Sequence, residues 1–366
     1  MAKKILKILG IVLAVLLAAF AGLVCWLTVR EYKPEAVEEL EAATWRDQMA
    51  SPSYLEDLPL PAPGDSLTIL SQNTGYAGLG KDADFFMDGG KNVSSYDKDG
   101  VTANLLGIYN QLYSDENKAD IYMLQEVDLD SSRTYGINAR EYLGIYNSTY
   151  ALNYSCSFVP YPLPPIGKVN SGVLTNTAYS IDSADRISLP CPFDWPVSTA
   201  NLKRCLLVSY LPIDGSDKKL VIVNLHLEAY DDGEGKIAQT KQLREFIQSE
   251  YEKGNYVIAG GDFNQTFPGG LDKYPTLNPD LWTPGTITED IMPEGWKMAY
   301  DLNVPSCRLL NRPFNPDDAE HTQYYIIDGF IISPNVEFIS VNTIDAGFEF
   351  SDHNPVQLKV RLAEAD

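Results

Sequence analysis

The sequence predicts an α+β domain built on packed β-sheets, preceded by one N-terminal transmembrane helix. Three observations predict it. Residues 8–29 form an uncharged apolar run of 22 behind Lys3, Lys4 and Lys7. From Leu67 onward, strand-like stretches follow one another with a few helix-like ones and turn signals between them. Mixed elements in one stretch without an internal repeat or a composition break fit a single domain of packed sheets.

The apolar run has the length of a bilayer's hydrocarbon core at a helical rise of about 1.5 Å per residue. The lysines before it favour a cytoplasmic N-terminus, and Trp26 sits where an interfacial aromatic belongs. A cleaved signal peptide has a shorter apolar region, about 7–15 residues, followed by a small-x-small site. This run ends instead in Cys25-Trp26-Leu27-Thr28-Val29, and Val24 stands where a lipoprotein signal wants a small residue. Residues 1–33 therefore read as an uncleaved, single-pass cell-membrane anchor, with the rest of the chain outside the cytoplasm. Residues 34–50 read as a short juxtamembrane helix. Residues 51–66, with Pro59, Pro61 and Pro63 alternating, read as a semi-extended spacer lifting the domain off the membrane.

In the body, 67–74 is a strand, 101–117 a helix and 120–127 a buried strand. Strands are expected at 171–176, 205–213 and 219–227, the last two joined by the Asp214-Gly215-Ser216-Asp217 turn. Residues 236–253 form an amphipathic helix with Ile237, Leu243, Phe246, Ile247 and Tyr251 on one face, ended by Gly254-Asn255. Strands at 256–264, 324–333, 336–344 and 354–360 complete the domain.

Composition narrows the chemistry. The 366 residues carry 50 acidic and 28 basic side chains, five cysteines and three histidines. No CxxC pair is present, which excludes a zinc ribbon or a thioredoxin-like site. Five of the bases and one of the acids lie in residues 1–33, so the exported part holds 23 bases against 49 acids, a balance of −26. Such acidity argues against affinity built on neutralising many phosphates. Cys156, Cys191, Cys205 and Cys307 allow three disulfide pairings or four free thiols.

Polar groups cluster at the strand ends: Asn73, then Gln125-Glu126-Val127-Asp128, then Asn224-Leu225-His226, then Gly261-Asp262-Phe263-Asn264. Asp328 interrupts an apolar run, and Ser351-Asp352-His353-Asn354-Pro355 opens the last strand. Strand ends let a rigid scaffold aim side chains into a pocket. Glu126, Asp262 and Asp352, with the neutral oxygens of Asn73 and Asn264, suit a hard cation: Mg²⁺ first, Mn²⁺ or Ca²⁺ next. His321 lies outside these clusters and reads as a loop histidine. The glycine-rich segment 75–91 reads as a mobile loop beside Asn73, and Lys91, Lys168 and Arg204 as ordinary cations with a phosphate-contact alternative.

The ordered set resembles the endonuclease/exonuclease/phosphatase superfamily over residues 67–362. The resemblance implies a four-layer α/β/β/α sandwich with two packed mixed β-sheets. It implies a metal-dependent hydrolase acting on phosphoric ester bonds by in-line attack of water. In that scheme Glu126 binds the catalytic Mg²⁺, with Asn73 and Asp352 contributing directly or through water. Asp262 and Asn264 orient the attacking water and hold the phosphate. His353 contacts the phosphate as base or electrostatic partner, Asp328 fixes its tautomer, and His226 donates to a phosphate oxygen or the leaving group. The acidity and the membrane tether favour a non-nucleic or lipid-linked phosphodiester or phosphomonoester. A cell-surface nuclease acting on DNA or RNA is the alternative. A catalytically dead phosphate-binding protein is a third reading, opposed by the complete residue set. The sequence carries no signal for oligomeric state.

Overall fold

A computed structural model of the chain describes residues 2–44, 58–145, 147–231 and 233–364. Two mixed seven-stranded sheets pack together with helices against them. The first runs Val37–Leu40, Ser183–Ser188, Cys205–Pro212, Lys219–His226, Tyr256–Asp262, Asp328–Ile332 and Lys297–Ala299. The second runs Val336–Thr343, Val356–Leu362, Ser66–Asn73, Ile121–Asp128, Gly167–Thr177, Asn147–Val159 and Ala43–Thr44. Each sheet has one parallel pair: Lys219–His226 beside Tyr256–Asp262, and Ser66–Asn73 beside Ile121–Asp128.

The central strands are apolar on both sides because both sides are covered. Leu67, Ile69, Ile121 and Met123 of one sheet meet Leu220, Ile222, Ile258 and Phe330 of the other in the inter-sheet core. Leu70, Tyr122 and Leu124 face outward onto Val101, Leu105 and Ile108 of helix Lys98–Leu112. Val221, Val223 and Val257 likewise meet Leu243 and Ile247 of helix Glu234–Glu252. In that helix Ile237 points outward, 65 % exposed, and the buried stripe runs instead through Gln239, Thr240, Leu243 and Ile247.

A polar seam joins the sheets below one end of the core. Gln125 Nε2 donates to Asn224 Oδ1 at 2.8 Å, and Asn224 Nδ2 donates to the carbonyls of Leu174 and Leu124 at 3.0 and 3.3 Å. Both side chains are fully buried. Glu126 follows Gln125 immediately, and His226 stands two residues beyond Asn224, so this seam sets the spacing of the two sheets' functional ends.

Several expectations need correction. The helix expected over 34–50 is absent from its described part, where Val37–Leu40 pairs antiparallel with Ser183–Ser188 and Ala43–Thr44 pairs with Asn147–Val159. An open sheet edge outweighs the helical propensity of an Ala/Glu-rich segment. The rest of that segment, 45–50, and spacer residues 51–57 lie outside the described residues. The described spacer does not lift the domain away, because it lies on the fold: Pro59 O accepts from Ser180 N at 3.1 Å and Pro61 O from Asp214 N at 2.9 Å. The continuous strand expected at 324–333 is split into Tyr324–Tyr325 and Asp328–Ile332. Segment 75–91 is packed rather than a loose loop, with Tyr76, Ala77, Leu79 and Ala83 buried. All five cysteines are free.

The described residues include one helix, Ala2–Arg30, long and apolar enough to cross a membrane.

The seam yields a stability prediction. Asn224→Ala leaves buried carbonyls without a donor and a small void, a cost of about 2–4 kcal/mol. Denaturant unfolding of the variant measures it. A change within about 0.5 kcal/mol, the scatter of surface substitutions, would show that the seam is structurally idle.

Candidate active site

The site forms where both sheets end. One rung of the first sheet carries three of its groups, since Asp262 pairs with His226 on one side and with Asp328 on the other. Gly261 makes this rung possible. A Cβ at its φ of +139° would stand 2.0 Å from Leu225 O and 3.1 Å from Gln125 Nε2. Asp262 Oδ1 accepts the Asn264 N–H at 2.8 Å, and Asn264, at φ 49°, donates its amide to Leu227 O at 2.9 Å.

From the second sheet come Asn73 and Glu126. The ladder slips between Leu124 and Val127, and Glu126 takes a left-handed φ of 55°. Such a bulge re-aims a side chain, and the strained backbone is characteristic of functional positions. Asn73 Nδ2 donates to Glu126 Oε1 at 3.1 Å and to Asp262 Oδ2 at 3.0 Å, so it ties the two sheets' carboxylates together. Its Oδ1 accepts the Gly75 N–H at 3.0 Å.

The two histidines flank Asp262. His226 Nε2 lies 3.4 Å from Asp262 Oδ2 and 4.0 Å from Glu126 Oε1. His353 Nε2 lies 3.8 Å from both Asp262 Oδ2 and Asp352 Oδ2, and its Nδ1 is 2.8 Å from Asp328 Oδ2. Burial opposes a charge on His353, yet Asp328, with Cys307, Asp352 and Asp262, holds its pKa well above the usual value. For His226 burial wins, reinforced by Arg204, and its pKa falls well below the usual value. One histidine is therefore charged and the other neutral near neutral pH. Burial also pushes the Asp262 and Asp352 carboxyls up to about 7.

Asn73, Glu126, His226, Asp262, Asn264, Asp352 and His353 all line one cavity of about 740 Å³, and Asp328 stands behind His353. His321 lies apart and exposed, against Asp318. Lys168 pairs with Asp130 at the surface, and Lys91 is exposed and absent from the cavity lining. Arg204 does line the cavity, donating to His226 O at 3.3 Å.

Sequence reasoning missed other groups. Cys307 and Arg308 enter from a two-residue strand paired with Tyr324–Tyr325, too short to show a period in the sequence. Cys307 shares a compact cluster with Asp352 and His353, and Arg308 Nη2 donates to Gly80 O at 2.8 Å. Arg133 forks onto Asp128 and stacks over the Tyr76 ring at 3.7 Å. Tyr230 donates to Asp88 Oδ1 at 2.9 Å, beside Trp282.

The donor set fits a divalent cation. Two clusters bring ligand atoms within 4.8 Å of one another: Cys307, Asp352 and His353, and Asp262, Asp328 and His353. Asp328 holds His353 by Nδ1 and leaves its Nε2 facing Asp262 and Asp352, and burial pushes the Cys307 thiol up to about 12, which disfavours the thiolate. Most of the donors are buried carboxylate oxygens, the preference of a hard ion.

A family model described as the endonuclease/exonuclease/phosphatase family matches residues 92–353. The chain belongs to that family, and it is a metal-dependent hydrolase acting on phosphoester bonds. No curated protein matches it. Among solved structures, the endonuclease/exonuclease/phosphatase protein from Beutenbergia cavernae DSM 12333 is 16% identical, with a TM-score of 0.52 over 81% of this chain and 72% of its own. Truncated TDP2 from Caenorhabditis elegans is 16% identical, with a TM-score of 0.47 over 83% of this chain and 100% of its own. ANGEL2 is described as a 2′,3′-cyclic phosphatase in complex with adenosine-2′,3′-vanadate. It is 15% identical, with a TM-score of 0.49 over 82% of this chain and 96% of its own. The TM-score of 0.52 to the Beutenbergia cavernae protein shows a shared fold.

The preference for a non-nucleic or lipid-linked substrate is corrected. The charge argument behind that preference fails locally. The −22 of the whole chain sums over remote surface, while Arg133, Arg204 and Arg308 line the cavity itself.

The Asp262 and Asp352 carboxyls hold protons in the folded, metal-free chain up to about 7 but release them near about 3.9 when unfolded. The folded state binds more protons across that window, so these groups reduce stability as pH rises through it. His353 acts in the same sense above about 6.5, and His226 in the opposite sense below about 6.5. Asp352→Asn therefore raises the melting temperature of the chelated protein at the upper end of the window and leaves the lower end unchanged. Thermal unfolding at both ends checks this. A melting temperature lowered at the upper end would contradict it.

Proposed function

We propose that this chain is a membrane-anchored, Mg²⁺-dependent hydrolase that cleaves phosphoester bonds in DNA or RNA, with Mn²⁺ or Ca²⁺ as substitute ions. Residues 1–33 anchor it in the cell membrane, and the catalytic domain of 67–362 works outside the cytoplasm. The observation that carries the chemistry is the placing of His226 and His353 on either side of Asp262, at 3.4 and 3.8 Å, with Asp328 against His353 alone.

Glu126 and Asp352, with Asn73, would hold the ion. When bound, it neutralises charge that develops on the phosphate oxygens. Asp262, fixed by the Asn264 N–H, orients the attacking water and accepts its proton. His353, kept charged by Asp328, hydrogen-bonds a phosphate oxygen as negative charge grows there. His226, neutral, offers a proton donor on the leaving-group side. Arg133 and Arg204 stand in the walls, paired with Asp128 and Glu228.

The cavity supports a nucleotide-derived ester by its aromatic lining. Tyr76, Phe86, Tyr154, Tyr161, Tyr230 and Trp282 surround it, and base-on-aromatic stacking contributes about 1–3 kcal/mol per base. Buried catalytic groups in a walled cavity suit a single strand or a chain end rather than an intact duplex.

The test uses the full chain in lipid nanodiscs with Mg²⁺, offered single-stranded DNA, RNA, duplex DNA, sphingomyelin and bis-p-nitrophenyl phosphate. Single-stranded nucleic acid is expected to turn over fastest, with His353→Ala slowing it by at least about 100-fold. Glu126→Gln is expected to abolish activity at low millimolar Mg²⁺. Preferred hydrolysis of sphingomyelin would overturn the substrate assignment, and unchanged activity of Glu126→Gln would overturn the ion assignment.

A further inference from the structure

The N-terminal helix does not stand free of the domain. Leu27 is buried and Leu23 half-buried against Tyr154, Cys156, Val159 and Val169, with Phe158, Ile166 and Leu202 around them. Trp195 Nε1 donates to Thr28 Oγ1 at 2.9 Å, and Lys203 Nζ donates to Glu31 Oε1 at 2.9 Å. Packing, a hydrogen bond and an ion pair within one helical turn fix the angle at which the helix leaves the domain. The same turns, through Phe20, Leu23, Val24 and Leu27, line the cavity that holds His226 and Asp262.

Around this junction the domain exposes apolar side chains. Leu163 is 85 % exposed, Tyr161 67 %, Trp195 64 % and Val197 58 %. Leu163 and Tyr161 lie in 158–166, a segment without a single charged residue, whose two ends pack against Leu27. Tyr161 meets Phe86 of the cavity rim at 5.6 Å between ring centroids. Scattered apolar residues are ordinary on a soluble surface, but a cluster at one place marks an interaction face. The occupant follows from continuity. The patch borders a helix whose Ile11, Val12, Leu16, Leu17 and Phe20 are themselves exposed, and Trp and Tyr favour the head-group level of a bilayer. Arg30 and Lys33 stand just past the apolar run, where snorkelling cations belong.

We infer that segments 158–166 and 193–197 form an apolar collar that seats the domain directly on the bilayer interface, so that the catalytic cavity opens at the membrane surface. The inference rests on the proposed membrane anchor and adds an orientation to it.

The test uses the full chain in phosphatidylcholine vesicles brominated near the head-group end of the acyl chains, with tryptophan fluorescence as the readout. Trp195→Phe and Trp26→Phe isolate each contribution by difference, and Leu163→Trp in the Trp195→Phe background adds a second collar reporter. The emission assigned to Trp195 and to the position-163 reporter is expected to be strongly quenched and blue-shifted. Quenching at Trp26 without quenching at either collar position would overturn the collar and leave the anchor intact. Absence of quenching at Trp26 as well would overturn the anchor and the collar together.

Discussion

A buried hydrogen bond between two amides, Gln125 Nε2 to Asn224 Oδ1, holds the rest of the arrangement in place. Two apolar sheet faces can slide over one another at modest cost, because the hydrophobic effect has no direction. A fully buried amide pair cannot, because each misplacement strands a donor or an acceptor away from water. The pair sits one residue before Glu126 and two before His226, so the register that satisfies it also sets the distance between the two sheets' reactive ends. Asn73 repeats the device one layer higher, bridging Glu126 and Asp262.

On that frame the electrostatics divide cleanly. The eight site residues are almost all withdrawn from solvent, which penalises every charge among them. Asp328 rescues the charge on His353 by direct contact at 2.8 Å, whereas the carboxyl nearest His226, Asp262, lies 3.4 Å away and is itself pushed up by burial, and the neighbouring Arg204 opposes protonation. The carboxyls of Asp262 and Asp352 keep their protons unless a cation compensates for their burial. The same low dielectric that makes this cluster costly makes it effective, since preorganised charges act most strongly where water is excluded.

Much of this was legible in the sequence because it is local. Polar residues ending apolar strands reveal themselves by breaking the pattern, which is how Asp328 between isoleucines, and Glu126 and Asp262 at strand ends, were found. What was missed depends on tertiary placement. The segment 34–44 has helical composition but completes two sheet edges, a choice that only the neighbouring strands impose. Cys307 and Arg308 reach the site from a two-residue strand too short to show a period. Gly75, Gly78 and Gly80 suggested mobility, whereas Gly75 serves close packing: a Cβ there would stand 2.8 Å from Asp352 Oδ1. The net charge misled because it is a property of the whole surface, and the site draws on three arginines near its own walls.

The central claim is that one buried histidine is charged and the other neutral across a shared carboxylate. Three histidines in the whole chain make this directly measurable. Histidine ¹⁵N chemical shifts of the metal-free full chain near neutral pH, assigned through His226→Gln and His353→Gln, report each ring's protonation. The account predicts a neutral ring signature for His226 and a doubly protonated one for His353. The same protonation state at both rings would contradict it.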